Sequence, residues 1–353
     1  MKKFFAFFLL AIIVLIAIFL LLPAPINPIA YNPPPKPELK GVLAPNNLLL
    51  KAELLALGKI NGPEEVAVDK KGLVYGGTEE GRIMRLFPDG KMETFAETKG
   101  RPLGLQFDQN DNLIVCDAYI GLLSIAPDGK IKVLADSAEG IPFKFTDALD
   151  ISQDGMIYFT DASSKFSQAE YLYDLLESRP HGRFLSYDPK TGQVKVLLKN
   201  LYFANGVALS AKEDFVLVNE TYRYRIIRYW LKGPKAGTHE VFIENLPGFP
   251  DNISSNRKGK FWLALFTVRN DVVDKIHPYP FLKAQLSKLP KALWPKPLPY
   301  GLVLALDENG KIIQSLHEPS GKHLKEITSA REYGGYLYLG SLHNDRIGKF
   351  KLP

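Results

Sequence analysis

Glu64-Glu65-Val66-Ala67-Val68-Asp69-Lys70-Lys71-Gly72-Leu73-Val74-Tyr75 opens the first of several similar units in this 353-residue chain. A short apolar run, a polar turn and a second apolar run lead on to Arg82-Ile83-Met84-Arg85-Leu86-Phe87, the turn Pro88-Asp89-Gly90 and Met92-Glu93-Thr94-Phe95. The same cadence returns from Pro102 to Asp136, Thr146 to Asn200, Asn205 to Asn245, Asp251 to Glu318 and Ile327 to Leu352. Short apolar runs separated by Asp-Gly and Pro-Asp-Gly turns are the hairpin chemistry of antiparallel strands. Units of roughly 35 to 65 residues with about four strands each predict an all-β, six-bladed propeller closed around a channel. The last unit is short of strands, and Leu49 to Ile60 is expected to complete it and close the ring. A β-sandwich with irregular spacing is the alternative, and the repeat count speaks against it.

Four units begin alike: Gly62-Pro63-Glu64-Glu65-Val66, Phe145-Thr146-Asp147-Ala148-Leu149, Phe203-Ala204-Asn205-Gly206-Val207 and Phe249-Pro250-Asp251-Asn252-Ile253. Each sets a polar residue just ahead of an apolar strand. Arranged around an axis, these carboxylates and amides converge, and oxygen ligands from separate repeats are what a hard cation such as calcium requires. The competing explanation is ordinary turn chemistry for Asn205 and ordinary polar strand starts for Glu65, Asp147 and Asn252.

Phe4 to Leu22 is an unbroken apolar stretch of 19 residues behind Lys2 and Lys3. That length spans a bilayer core, whereas a cleavable leader usually has an apolar region of about 7–15 residues. We expect a retained signal-anchor (1–22), its N-terminus cytoplasmic by the positive-inside rule and the propeller exported to periplasm, lumen or extracellular space. Seven prolines between Pro23 and Pro37 read as a stiff linker (23–45) holding the propeller (46–353) off the membrane. Of the 44 basic residues, two precede the apolar stretch, and the other 42 face 38 acidic ones. With no basic stripe interleaved with aromatics, nucleic acid is excluded as a partner. Cys116 is the single cysteine; within Asn112-Leu113-Ile114-Val115-Cys116 it reads as a packed core thiol.

Longer segments carry a family likeness: Gly100-Arg101-Pro102-Leu103-Gly104-Leu105, Ile157-Tyr158-Phe159-Thr160-Asp161-Ala162-Ser163-Ser164-Lys165, Asn245-Leu246-Pro247-Gly248-Phe249-Pro250-Asp251-Asn252-Ile253 and Tyr336-Leu337-Tyr338-Leu339-Gly340-Ser341. From about Gly62 to Leu352 the chain resembles the strictosidine synthase-like family, and within it the adipocyte plasma membrane-associated branch. The resemblance extends to paraoxonases and the senescence marker protein/gluconolactonases, and implies one calcium ion in the channel. It implies Glu64, Asn205 and Asp251 as metal ligands, with Asn252 and Glu65 as additional ones. Relatives have Asn-Asp where this chain has Thr146-Asp147, which makes the Thr146 hydroxyl the candidate fourth ligand. Asn252 and Asn219 also head glycosylation sequons.

The resemblance bears on chemistry too. Aligned through Glu332-Tyr333-Gly334-Gly335, the synthase's catalytic glutamate falls on Thr328, with Glu326 two residues away on the same strand face. Alkaloid condensation is therefore not expected. Calcium-dependent hydrolysis of a lactone or aryl ester is, with the ion polarising the carbonyl. A channel histidine proposed as the base in paraoxonases corresponds to Leu103, so Asp147 is the expected base and His343 a possible rim residue. The alternative is a non-catalytic, calcium-stabilised propeller that binds a ligand or protein. Two insertions, Ser164 to His181 and Arg269 to Tyr300, are expected to shape the channel mouth. In the first, Ala169 to Leu176 reads as a short amphipathic helix. The second reads as a linker or as a lid rich in lysine and aromatics that touches anionic lipid.

Overall fold

The computed structural model describes residues 2–353. Six four-stranded antiparallel sheets surround one axis. Their innermost strands are Val66–Val68, Pro102–Phe107, Thr146–Ile151, Ala204–Leu209, Gly248–Ser255 and Ile327–Tyr333, which we call the inner strands of blades 1 to 6. The expected closure is present: Glu53–Leu55 pairs antiparallel with Ile347–Lys351 as the outermost strand of blade 6, Glu53 opposite Lys349 and Leu55 opposite Ile347. Joining the first strand to the last blade ties the two ends of the ring together.

Each blade is covered by a neighbour on both faces, so the strands run almost continuously apolar instead of alternating. Separate apolar clusters fill the seams. Ala67, Tyr75 and Ile83 meet Leu105, Leu113 and Val115 between blades 1 and 2. Val66, Val74 and Met84 meet Tyr338 and Ile347 where blade 6 returns to blade 1. Cys116 lies fully buried in the seam between blades 2 and 3, its Sγ against the Ala148 carbonyl at 3.5 Å. Burial pushes this thiol well above its usual range, consistent with an inert packing role.

Inner strands start at one end of the channel, and second strands return to that end. Both long insertions follow second strands, in blades 3 and 5, so both lie over the end where the four polar segments begin. The first holds helix α2 (Tyr171–Glu177), after α1 (Lys2–Leu21). The second forms α3 (Asp271–Ile276) and α4 (Pro280–Ser287), not a linker. Its helix signals are local: the Asn270 side chain accepts from the Val272 and Val273 N–H groups, and Pro280 stands in the first turn of α4, where its missing N–H costs nothing.

The proline-rich segment does not hold the propeller at a distance. It lies as a strap across the two insertions. Ile29 and Tyr31 donate their N–H groups to the Glu177 and His277 carbonyls at 3.1 and 3.0 Å. Arg269, 1% exposed, donates to the Pro34 carbonyl at 2.7 Å and pairs with Asp274 at 2.8 Å. Ile26 is buried with Phe166, Leu176 and Trp294. The composition suited a free polyproline spacer, but Ile26 and Tyr31 supply apolar surface that a free spacer would leave in water.

Candidate functional site

The pairing of inner and second strands contains the device that builds the site. In blade 2, Pro102 pairs with Asp117 and Leu105 with Val115. In blade 3, Thr146 pairs with Asp161 and Leu149 with Phe159. Blade 4 repeats the step (Ala204 with Glu220, Val207 with Val218), as does blade 5 (Pro250 with Leu265, Ile253 with Leu263). Each of these four inner strands thus carries one extra residue, a β-bulge, near its start, and bulges re-aim side chains; the inner strand of blade 1 pairs without a shift, and Glu64 lies just ahead of it. Blade 6 has its own register shift between Ile327 and Ser329. One residue per blade then faces a common cavity of about 180 Å³: Glu64, Leu103, Asp147, Asn205, Asp251 and Thr328.

Glu64, Asn205 and Asp251, named from the sequence, are brought together in this ring. Asp147 stands in the same register, two residues after Phe145 as Asn205 follows Phe203 and Asp251 follows Phe249. That Phe-x-acid/amide spacing was the available signal that Asp147, rather than Thr146, belongs to the ring. Thr146 is fully buried, and its hydroxyl donates to the Asp117 carbonyl. Glu65 is also turned aside, accepting from the Leu105 N–H at 3.0 Å and pairing with Arg331 at 2.6 Å. Asn252 does not line the cavity; its amide N–H donates to Glu64 Oε1 at 2.8 Å. Both sequon asparagines, Asn219 and Asn252, are buried and closed to glycosylation in the folded chain.

The ring backbone is held by hydroxyls from neighbouring blades. Thr328 Oγ1 and Ser329 Oγ donate to the Glu64 carbonyl at 2.6 and 2.8 Å, and Thr160 Oγ1 to that of Asn205 at 2.8 Å. Gly206 permits the closest approach: a Cβ there would lie 2.5 Å from the Ile253 nitrogen and 2.6 Å from the Asp251 carbonyl oxygen. Gly206→Ala is therefore expected to push blade 5 outward, costing about 1–3 kcal/mol of stability. Calcium affinity should fall about tenfold with it, read by urea unfolding and titration calorimetry. Unchanged calcium affinity would show that the ring tolerates the shift.

Several ring oxygens lack partners. Glu64 Oε2, Asn205 Oδ1, Asp251 Oδ1 and Asn252 Oδ1 are buried without a hydrogen bond among the described residues. Burial first, then the charges of Asp251 and Asp147, raise the Glu64 carboxyl well above the usual range. Asp147 is raised likewise by burial and by Asp251. Burial lifts Asp251 to about 8 against the opposing hydrogen bonds of Asn205 and Glu64. Arg101, 2% exposed, is one guanidinium lowering both Glu64 and Asp147, so ionising all three carboxyls would leave the dry ring with excess negative charge. Orphaned hard oxygens with that charge suit a divalent cation. No three His, Cys, Asp or Glu side chains among the described residues close tightly on one point.

Elsewhere at the mouth, His343 Nδ1 meets Glu326 at 2.7 Å, its ring edge-on to the cavity residue Phe266. Neither His343 nor Glu326 lines the cavity, and Thr328 takes the ring position of blade 6. The upper walls come from the two insertions expected at the channel mouth: Tyr171, Leu172 and Leu175 of α2, Val273 of α3, and Trp294.

A six-bladed propeller with one channel ring of carboxylates and an amide, roofed by helical insertions, defines the class. Comparison with known proteins places it further. Residues 147–234 match the strictosidine synthase family model and residues 41–86 the strictosidine synthase-like N-terminal model. The chain is 39% identical to the rat (Rattus norvegicus) adipocyte plasma membrane-associated protein over 362 residues, covering 96% of each chain. It is 38% identical to strictosidine synthase-like protein 10 of Arabidopsis thaliana over 346 residues, covering 90% of this chain and 91% of that one. The chain belongs to the strictosidine synthase-like family, which includes the adipocyte plasma membrane-associated proteins. A gluconolactonase of Xanthomonas campestris shares the fold with a TM-score of 0.63 at 16% identity, over 86% of this chain and 90% of that one. A calcium-binding regucalcin of Agrobacterium tumefaciens does so at 0.59 and 14%, over 85% and 91%. The helix α1 is long and apolar enough to cross a membrane.

Proposed function

We propose that this protein is a membrane-anchored, extracytoplasmic, calcium-dependent hydrolase of lactones or aryl esters. The observation that carries the reading is the ring of Glu64, Asn205 and Asp251, its oxygens orphaned beneath an apolar cavity. These three residues would hold the ion, with Asn252 Oδ1 behind them; Thr146 is left out because its hydroxyl is engaged elsewhere. Bound there, calcium would supply Lewis-acid polarisation of the substrate carbonyl. Asp147, at the blade 3 position of the same ring and facing the cavity, takes the proton of the attacking water. Phe145, Phe203, Phe249 and Trp294 seat the apolar part of the substrate and keep bulk water out. With Thr328 at the ring position of blade 6, no carboxyl is placed there for a condensation of the plant-synthase kind. Lys2 and Lys3 before the apolar helix keep the N-terminus cytoplasmic.

The test uses the full chain in detergent, with a short aryl ester and a γ-lactone, in calcium and then in chelator. Chelation is expected to lower kcat/KM at least about 100-fold, in line with several kcal/mol of lost transition-state stabilisation. A second reading rests on a specific absence: among the described residues, no histidine or cysteine lines the cavity. Under it, calcium only pins the blades and the cavity binds a ligand. Calcium-raised melting without turnover of either substrate would establish that reading over the hydrolase.

A further inference from the structure

The strap, the lid helices and the membrane helix belong to one surface. The 20-residue helix α1 rises about 30 Å, a bilayer core. Only four residues, 22–25, separate Leu21, the last residue of α1, from Ile26, which is buried with Phe166, Leu176 and Trp294. At 3.3–3.6 Å per residue the five steps from Leu21 to Ile26 reach at most about 18 Å. Lys288, directly after α4, closes the gap further: its Nζ donates to the Phe19 and Leu20 carbonyls at 3.1 and 3.2 Å. Trp294 is both an anchor point for the strap and a wall of the channel cavity.

The outer side of this lid is apolar. Tyr279 is 57% exposed, Phe281 59%, Leu282 48% and Leu293 67%, and Lys275, Lys291 and Lys296 stand exposed around them. Aromatics at the headgroup level flanked by lysines are the composition of a membrane-interface surface. A soluble partner would have to displace the bilayer that α1 already brings to this face. We propose that the lid face, with Phe281 and Leu282 of α4 and Leu293 beyond it, is seated in the bilayer interface. The channel mouth then opens onto the membrane and draws its ligand from it. Resting on the hydrolase reading, the substrate class is a lipophilic ester or lactone dissolved in the bilayer, not a sugar lactone from the aqueous phase.

Cys116 is fully buried, so a single introduced cysteine takes a nitroxide selectively. Full-length chain is placed in nanodiscs of phosphatidylcholine and phosphatidylserine, labelled at Phe281→Cys or at Thr191→Cys. Thr191 lies in the turn between the third and fourth strands of blade 3, at the opposite end of the channel. The label at 281 is expected to collide at least threefold more with oxygen, and at least threefold less with a water-soluble nickel chelate, than the label at 191. Equal aqueous accessibility at both positions overturns the docking. Phe281→Glu combined with Leu282→Glu should raise KM at least tenfold for a long-acyl ester presented in vesicles. KM for a short soluble ester should stay within twofold; an equal change for both overturns delivery from the membrane. If the wild-type chain hydrolyses neither ester, the hydrolase reading falls, and the nitroxide measurement still decides the docking.

Discussion

Asp251→Asn is expected to weaken calcium binding at pH 7.5 by at least about 100-fold. Losing even an outer partner of a metal site costs about 10–100-fold, and Asp251 would touch the ion itself. The same substitution should raise the melting temperature of the chelated protein by a few degrees, because about 1 kcal/mol shifts a domain of this size by roughly 2–4 °C. The cause is the ring's burial: Asp251, lifted to about 8, must be kept protonated against an unfolded value of about 3.9, and an amide of the same shape carries no such cost. Opposite signs for affinity and metal-free stability mark a site built for a cation. Titration calorimetry and thermal melts read both, and a calcium Kd unchanged within threefold would remove Asp251 from the ligand set.

Calcium affinity should tighten about tenfold per pH unit between pH 6 and 7.5, since an ion that needs a carboxylate must displace its proton. Asp251 is lifted to about 8 from an unfolded value of about 3.9, so in the metal-free chain it is largely protonated over this range. The sign for stability follows. A raised folded-state pKa contributes stability that is complete below about pH 4 and is lost as pH rises through about 8. Between pH 7 and 8 the metal-free protein should therefore lose up to about 1.4 kcal/mol on account of Asp251. The window is chosen because burial lowers His277 to about 3 and His317 to about 4, so both histidines are neutral there, folded or unfolded. Saturating calcium should flatten the slope, and Asp251→Asn should reduce it by the share that Asp251 carries. A metal-free stability that rises from pH 7 to 8 would contradict the buried-carboxyl ring.

Much of this site was legible in the sequence because a propeller converts a linear repeat into radial symmetry. Glu64, Asn205 and Asp251 sit at equivalent points of their units, and closing the ring brings equivalent points to one axis. The Thr146-Asp147 pair shows where that reasoning ran out. Side chains in a regular strand alternate faces, and a bulge with one extra residue shifts which of two neighbours faces inward. Here it is Asp147, and Thr146 is left bonding to the Asp117 carbonyl. Glu65 next to Glu64 is spent on the Leu105 N–H and Arg331 of the two flanking blades.

The sequence by itself determined the blade count, the closing strand, the apolar N-terminal helix and the positions Glu64, Asn205 and Asp251, because each depends on local periodicity or on a repeat. Only the tertiary structure decided that the proline segment is a strap and that the second insertion is a helical lid. The same holds for the cavity wall and the lid's apolar face lying beside α1. Those facts rest on contacts such as Arg269 with the Pro34 carbonyl and Lys288 with the Phe19 carbonyl. Such contacts join segments more than two hundred residues apart, and no local pattern encodes which distant carbonyl a buried cation will reach.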